Sequence, residues 1–81
     1  MKEIIYQPNA IKSLKKMPSK VVNRIVSKIT AYAKDPATLA NNTKSLKGTE
    51  AIRLRVGDWR VIMIDDQVIT IVKIAPRGSA Y

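Results

Sequence analysis

Gly57 and Asp58 stand between two runs of alternating apolar residues, Ile52-Arg53-Leu54-Arg55-Val56 and Trp59-Arg60-Val61-Ile62-Met63. A two-residue link between such runs closes an antiparallel hairpin, and a leading glycine suits a type II′ turn because that position needs positive φ. The turn sets the register. Val56 falls opposite Trp59, Arg55 opposite Arg60, Leu54 opposite Val61 and Arg53 opposite Ile62. Directly opposed residues share a sheet face, so one face carries Ile52, Leu54, Val56, Trp59, Val61 and Met63. The other carries Arg53, Arg55 and Arg60, then Ile62 and Ile64. Like charges set directly across a strand pair cost up to about 1 kcal/mol, so the Arg55–Arg60 pairing calls for a reason.

Val68-Ile69-Thr70-Ile71-Val72-Lys73-Ile74 forms a further strand after Asp65-Asp66-Gln67. A two-residue turn at 65–66 or at 66–67 puts Ile69, Ile71 and Lys73 on the arginine face, because a register shift of two preserves parity. Arg77 follows within reach, past Pro76.

The N-terminal half is helical after a short strand over 2–7, which Pro8 stops. Ala10, Ile11, Leu14 and Met17 recur at helical spacing, with Asn9 as the expected N-cap. Pro18 separates this helix from a second one over 19–35. There Val21, Val22, Ile25, Val26, Ile29, Tyr32 and Ala33 make one apolar stripe, and Lys20, Asn23, Arg24, Ser27 and Lys28 line the other side. The short connection implies antiparallel helices. Residues 36–49 read as a polar connector with a helical turn near Ala37–Ala40, anchored to the core by Leu39 and Leu46. The 81 residues have room for one domain, 1–81.

Fifteen Lys and Arg against six Asp and Glu leave a net charge of +9. Such an excess implies a polyanionic partner, whether nucleic acid, an anionic membrane or an acidic protein, with a solubilising lysine surface as the lesser alternative. The absence of Cys and His removes disulfides, thiol nucleophiles, the usual zinc ligand sets and the commonest general base. No apolar run approaches the ~20 residues of a membrane span, and no signal peptide is evident. Solubility needs no clustering of arginines, whereas a phosphate site does, because the bound anion removes the repulsion between them.

The element order β-α-α-β-β-β, the segment Leu46-Lys-Gly-Thr-Glu-Ala-Ile-Arg-Leu-Arg-Val-Gly-Asp-Trp-Arg-Val-Ile-Met63 and the ending Ile71-Val-Lys-Ile-Ala-Pro-Arg-Gly-Ser-Ala-Tyr81 resemble the RelE/ParE superfamily of bacterial toxins, over essentially the whole chain. The resemblance implies an α+β fold, with two N-terminal antiparallel helices packed on one face of a small, mainly antiparallel sheet. It also implies the RelE branch's activity: a ribosome-dependent mRNA endoribonuclease that inhibits translation and uses neither cofactor nor metal. The family's two basic residues on the first hairpin strand fall on Arg53 and Arg55. Its return-strand arginine falls on Arg60, its C-terminal arginine on Arg77, and its stacking or proton-transferring tyrosine on Tyr81.

Lys73, Lys44 and Lys47 are the accompanying residues expected to bind RNA. Lysines often stand at the family's first two positions, and arginines there cannot readily serve as general bases. The implied partners are mRNA on the ribosome and a cognate antitoxin whose acidic segment covers the basic face. The free toxin is expected to be a cytoplasmic monomer that enters a higher-order complex with antitoxin. Two alternatives stay open: a ParE-like toxin that inhibits DNA gyrase, and a degenerate toxin acting as a binding module.

Overall fold

The computed structural model describes residues 1–78. Its elements run β1 (Ile4–Tyr6), α1 (Pro8–Lys15), α2 (Ser19–Lys34), a 3₁₀ helix (Pro36–Asn42), β2 (Thr43–Ser45), β3 (Ala51–Val56), β4 (Trp59–Asp65) and β5 (Ile69–Pro76). The five strands form one mixed sheet in the order β1-β5-β4-β3-β2. Every pairing is antiparallel except β1 with β5, which is parallel. A parallel pair needs a long crossover, and here everything from α1 to β4 supplies it.

β1 feeds α1 almost without a link. The Gln7 N–H donates to the Ile71 carbonyl at 3.0 Å, and the Gln7 carbonyl accepts from Ile11 N–H at 3.0 Å. Pro8 is the first helical residue, where a missing N–H costs nothing. The expected Asn9 cap is therefore wrong: Gln7 occupies the cap position and Asn9 lies inside the helix. α1 ends at Lys15, while Met17, whose N–H donates to Leu14 O at 3.1 Å, still packs against the core.

α2 matches its expected span to within a residue and buries Ile25, Ile29, Tyr32 and Ala33. With Ala10, Leu39, Leu54, Val56, Val61, Met63, Ile69, Ile71 and Ile74 these form the main core, between the helices and one face of the sheet. Ile52 and Trp59 pack against its margin, as hairpin parity predicts. No helix among the described residues is long and apolar enough to cross a membrane.

The polar connector contains more structure than its composition suggests. Asp35 Oδ1 accepts from Ala37 N–H at 3.2 Å and starts the 3₁₀ helix, which carries buried Leu39. Thr43–Ser45 then forms an edge strand that has no apolar alternation of its own. Leu46 does anchor the connector, but on the far side of the sheet: it joins a small cluster of Ile62, Ala75, Ala51 and Val72.

Candidate phosphate-binding face

The hairpin follows the expected register at all four stated pairs, including Arg55 opposite Arg60. Gly57 has φ +60° and no non-glycine described residue has positive φ, consistent with a type II′ turn.

The next hairpin departs from expectation twice. Asp65 pairs with Ile69, so the loop has three residues, 66–68, and this odd length reverses the parity. Ile69 and Ile71 therefore point into the core and not onto the arginine face, with Ile71 opposite Met63. The register then shifts between Ile62 and Met63, where Val72 is the extra residue on β5. Beyond that bulge the original parity returns, and Lys73 lies opposite Ile62 on the arginine face.

β2 extends this face. Lys44 pairs with Arg53, Arg53 with Ile62, and Ile62 with Lys73, making one transverse row over four strands. A second row runs Arg55, Arg60, Ala75. Arg77 comes next on β5's outward phase, and its backbone N–H donates to the Asp58 carbonyl at 2.8 Å, which ties it to the hairpin turn. Lys44, Lys47 and Arg53, with Ser45 and Leu46, line a depression of about 460 Å³ at the β2 edge. Lys44, Lys47, Arg55 and Arg77 are exposed, while Arg53, Arg60 and Lys73 are half-buried. Tyr81 lies outside the described residues. A larger groove of about 560 Å³ is lined by α2 residues alone, from Asn23 to Lys34, and gathers none of these groups.

The outward positions of β2 to β5 carry no acid. Asp65 is turned to the helical side, where it accepts from Lys2 Nζ at 2.6 Å and Tyr32 Oη at 2.7 Å. Burial alone would raise its pKa, but those two hydrogen bonds and the Lys2 charge bring it below the ordinary value. Asp35 is occupied as a cap. Arg60 reduces its conflict with Arg55 by folding back: its Nη1 donates to the carbonyls of Gly57 and Trp59, each at 3.1 Å. The two backbone oxygens supply partial negative charge where no carboxylate is available.

Tyr6 and Tyr32 are the tyrosines among the described residues. Burial raises both phenols, and for Tyr32 the Asp65 hydrogen bond and charge add to it, reaching about 12. Tyr6 pairs with Ile71 and packs with Tyr32 against the main core, away from the arginines.

Arg24 is the residue that helical spacing could not single out. It is exposed on α2's polar side, yet its guanidinium covers the turn. A Cβ built on Gly57 would lie 3.1 Å from Arg24 Nη2 and 3.2 Å from both Cζ and Nη1. No periodicity in the sequence links residue 24 to residue 57. Their meeting depends on how α2 crosses the hairpin.

Over residues 4–81 the sequence matches the family described as the ParE toxin of type II toxin–antitoxin systems, parDE. No curated protein matches it in sequence. In structure it is similar to the archaeal RelE–RelB complex from Pyrococcus horikoshii OT3, at 28% identity and TM-score 0.79 over 98% of both chains. The RelBE2 complex of Mycobacterium tuberculosis shares its fold at 17% identity and TM-score 0.79, over 94% of this chain and 98% of that one. So does the isolated E. coli RelE toxin, at 14% identity and TM-score 0.79, over 99% of this chain and 88% of that one.

Proposed function

Because this chain belongs to the ParE toxin family of type II toxin–antitoxin systems, within the RelE/ParE superfamily, we propose that it is the RelE kind of toxin: a ribosome-dependent endoribonuclease that cuts mRNA. One observation carries the proposal. Arg53, Arg55, Arg60, Lys44 and Lys73 share a sheet face whose outward strand positions hold no carboxylate. Stability alone gives no reason to oppose Arg55 and Arg60, whereas a bound phosphodiester would turn their repulsion into shared attraction.

In the reaction the 2′-oxygen bonds to the adjacent phosphorus as the bond from phosphorus to the 5′-oxygen breaks. The 2′-hydroxyl gives up its proton and the leaving 5′-oxygen takes one, leaving a 2′,3′-cyclic phosphate and a 5′-hydroxyl. Charge accumulates on the non-bridging oxygens, which fixed guanidinium groups can stabilise where it develops. Arg60 and Arg77 are assigned that role beside the hairpin turn, with Arg53 and Arg55 holding the neighbouring backbone. Arginines do not accept the 2′-proton. Proton transfer or base stacking is assigned to Tyr81 on the family resemblance. Lys44, Lys47 and Lys73 hold flanking phosphates. The same face suits an acidic segment of a cognate antitoxin, as the RelE–RelB complexes of similar fold suggest.

The test is primer extension on a reporter mRNA after induction of the chain, alongside a gyrase cleavage assay. Wild type should give discrete mRNA cuts. Arg60→Ala and Arg77→Ala should each lose ~10²–10³-fold in cleavage, the scale seen when one oxyanion donor is removed, while remaining folded. Gyrase-dependent DNA breaks with intact mRNA would transfer the chain to the gyrase-inhibiting branch. Cleavage at wild-type rates in both variants would remove the arginine assignment.

A further inference from the structure

Arg24 and Arg60 approach one glycine from two sides. Arg60 donates to the Gly57 carbonyl at 3.1 Å. The Arg24 guanidinium lies over the Gly57 α-carbon, with Nη1, Cζ and Nη2 at nearly equal distances from the position a Cβ would take. Equal distances mean that the flat face of the guanidinium, not its donor edge, meets the turn. Its five N–H donors radiate in the plane of the group, so stacking on the glycine uses none of them. None of the side-chain hydrogen bonds or ion pairs among the described residues involves Arg24. Asp58, the adjoining carboxylate, forms an ion pair with neither Arg24 nor Arg60 within that described set.

We propose that Arg24 is a further phosphate-binding residue, which holds the RNA backbone at the hairpin tip beside Arg60. The proposal rests on the nuclease reading and adds an α2 residue to a surface otherwise built from the sheet and its connecting segments. Stacking holds the guanidinium at a fixed height over the turn and leaves its donor fork facing outward, and a planar fork is the geometry that matches phosphate oxygens. A partner carboxylate could use the same fork. RNA is favoured because its phosphates recur along the chain, so a strand crossing the Lys44–Arg53–Lys73 row also presents a phosphate at the turn. Gly57 thereby has two duties. It takes the positive φ of the turn, and it leaves room for the guanidinium, which an added methyl would press at 3.1 Å.

The experiment titrates the full chain with a short single-stranded RNA carrying 2′-O-methyl groups, which cannot be cut, over a series of salt concentrations. Each phosphate contact on a single strand contributes about 0.7 to the slope of log affinity against log salt. Arg24→Ala should reduce the slope by about 0.7 and weaken binding ~10-fold at low salt. Arg24→Lys, which keeps the charge but loses the flat face, should recover most of the slope. A purely structural role would appear as a lowered melting temperature with an unchanged slope. Wild-type binding and cleavage with an unaltered slope in Arg24→Ala would overturn the Arg24 assignment and leave the nuclease standing. A slope unaltered for RNA but reduced for an acidic peptide would give Arg24 to a protein partner and overturn it likewise. If wild type binds the RNA with no salt dependence, Arg24 and the nuclease reading fall together.

Discussion

The two faces of the sheet are made from the same strands, yet they follow different rules. On the helical face Leu54, Val61, Met63, Ile69 and Ile71 are almost fully buried and packed on Ile25 and Ile29. On the other face the buried set shrinks to Ile62 and Ala75, edged by Leu46, Ala51 and Val72, and cations occupy the positions around it. The first face lowers the free energy of the fold by removing apolar surface from water. The second concentrates like charge and adds little. Residue choice on one face is explained by folding, and on the other it fits the phosphate ligand proposed above.

Substitutions should separate the faces by size and sign. Leu54→Ala removes a fully buried side chain and should cost about 3 kcal/mol, within the 2–5 kcal/mol usual for such cavities, as read by urea unfolding. A loss below ~1 kcal/mol would mean that the helical face is not the main source of stability.

Tyr32→Phe should cost ~1 kcal/mol at neutral pH by removing the 2.7 Å bond to Asp65. Its pH dependence has a definite sign. The Tyr32 phenol is raised from 10.0 to about 12, so its contribution is complete below pH 10 and is lost as pH climbs towards 12. The Phe variant should show a shallower alkaline decline, with the raised Tyr6 contributing the remainder. Asp65 behaves oppositely: being lowered, it stabilises above the ordinary carboxylate range and ceases to do so as pH falls through its depressed value.

The smallest effect sharpens the contrast most. Arg55→Ala removes one partner of the opposed pair and should raise stability slightly, by up to ~1 kcal/mol, while weakening RNA binding. A variant that lost both stability and binding would place Arg55 with the core residues and not with the ligand-facing ones.

How far the sequence could be read depends on where register was determined locally. Gly57-Asp58 fixes the first hairpin, so Arg55 and Arg60 were legible as a pair. Lys73 reaches its expected face only because two departures cancel, a loop one residue longer than expected and a one-residue bulge at Val72. Between those two points the two-residue turn expected from the sequence puts Ile69 and Ile71 on the wrong side, although Thr70 between them is the polar residue of an alternation that sets both isoleucines inward. Thr43–Ser45 is not legible as a strand because three polar residues have no period, although that strand sets Lys44 beside Arg53. The sequence places Arg24 only on the polar side of its helix, because Gly57 is 33 positions away and meets it only through packing.

The extra residue at Val72 also bears on how the strand tolerates a change of length. β5 is a wave of period two that changes phase midway, between Ile71 and Lys73. Cross-strand pairs decide which face each residue takes, so Asp65 opposite Ile69 and Met63 opposite Ile71 keep both isoleucines in the core whatever the length of the loop at 66–68. Removing Val72 would leave Ile71 inward and Lys73 outward on an unbroken strand. Val72 is thus a place where β5 could shed a residue and keep both faces, while the loop beside it varies independently.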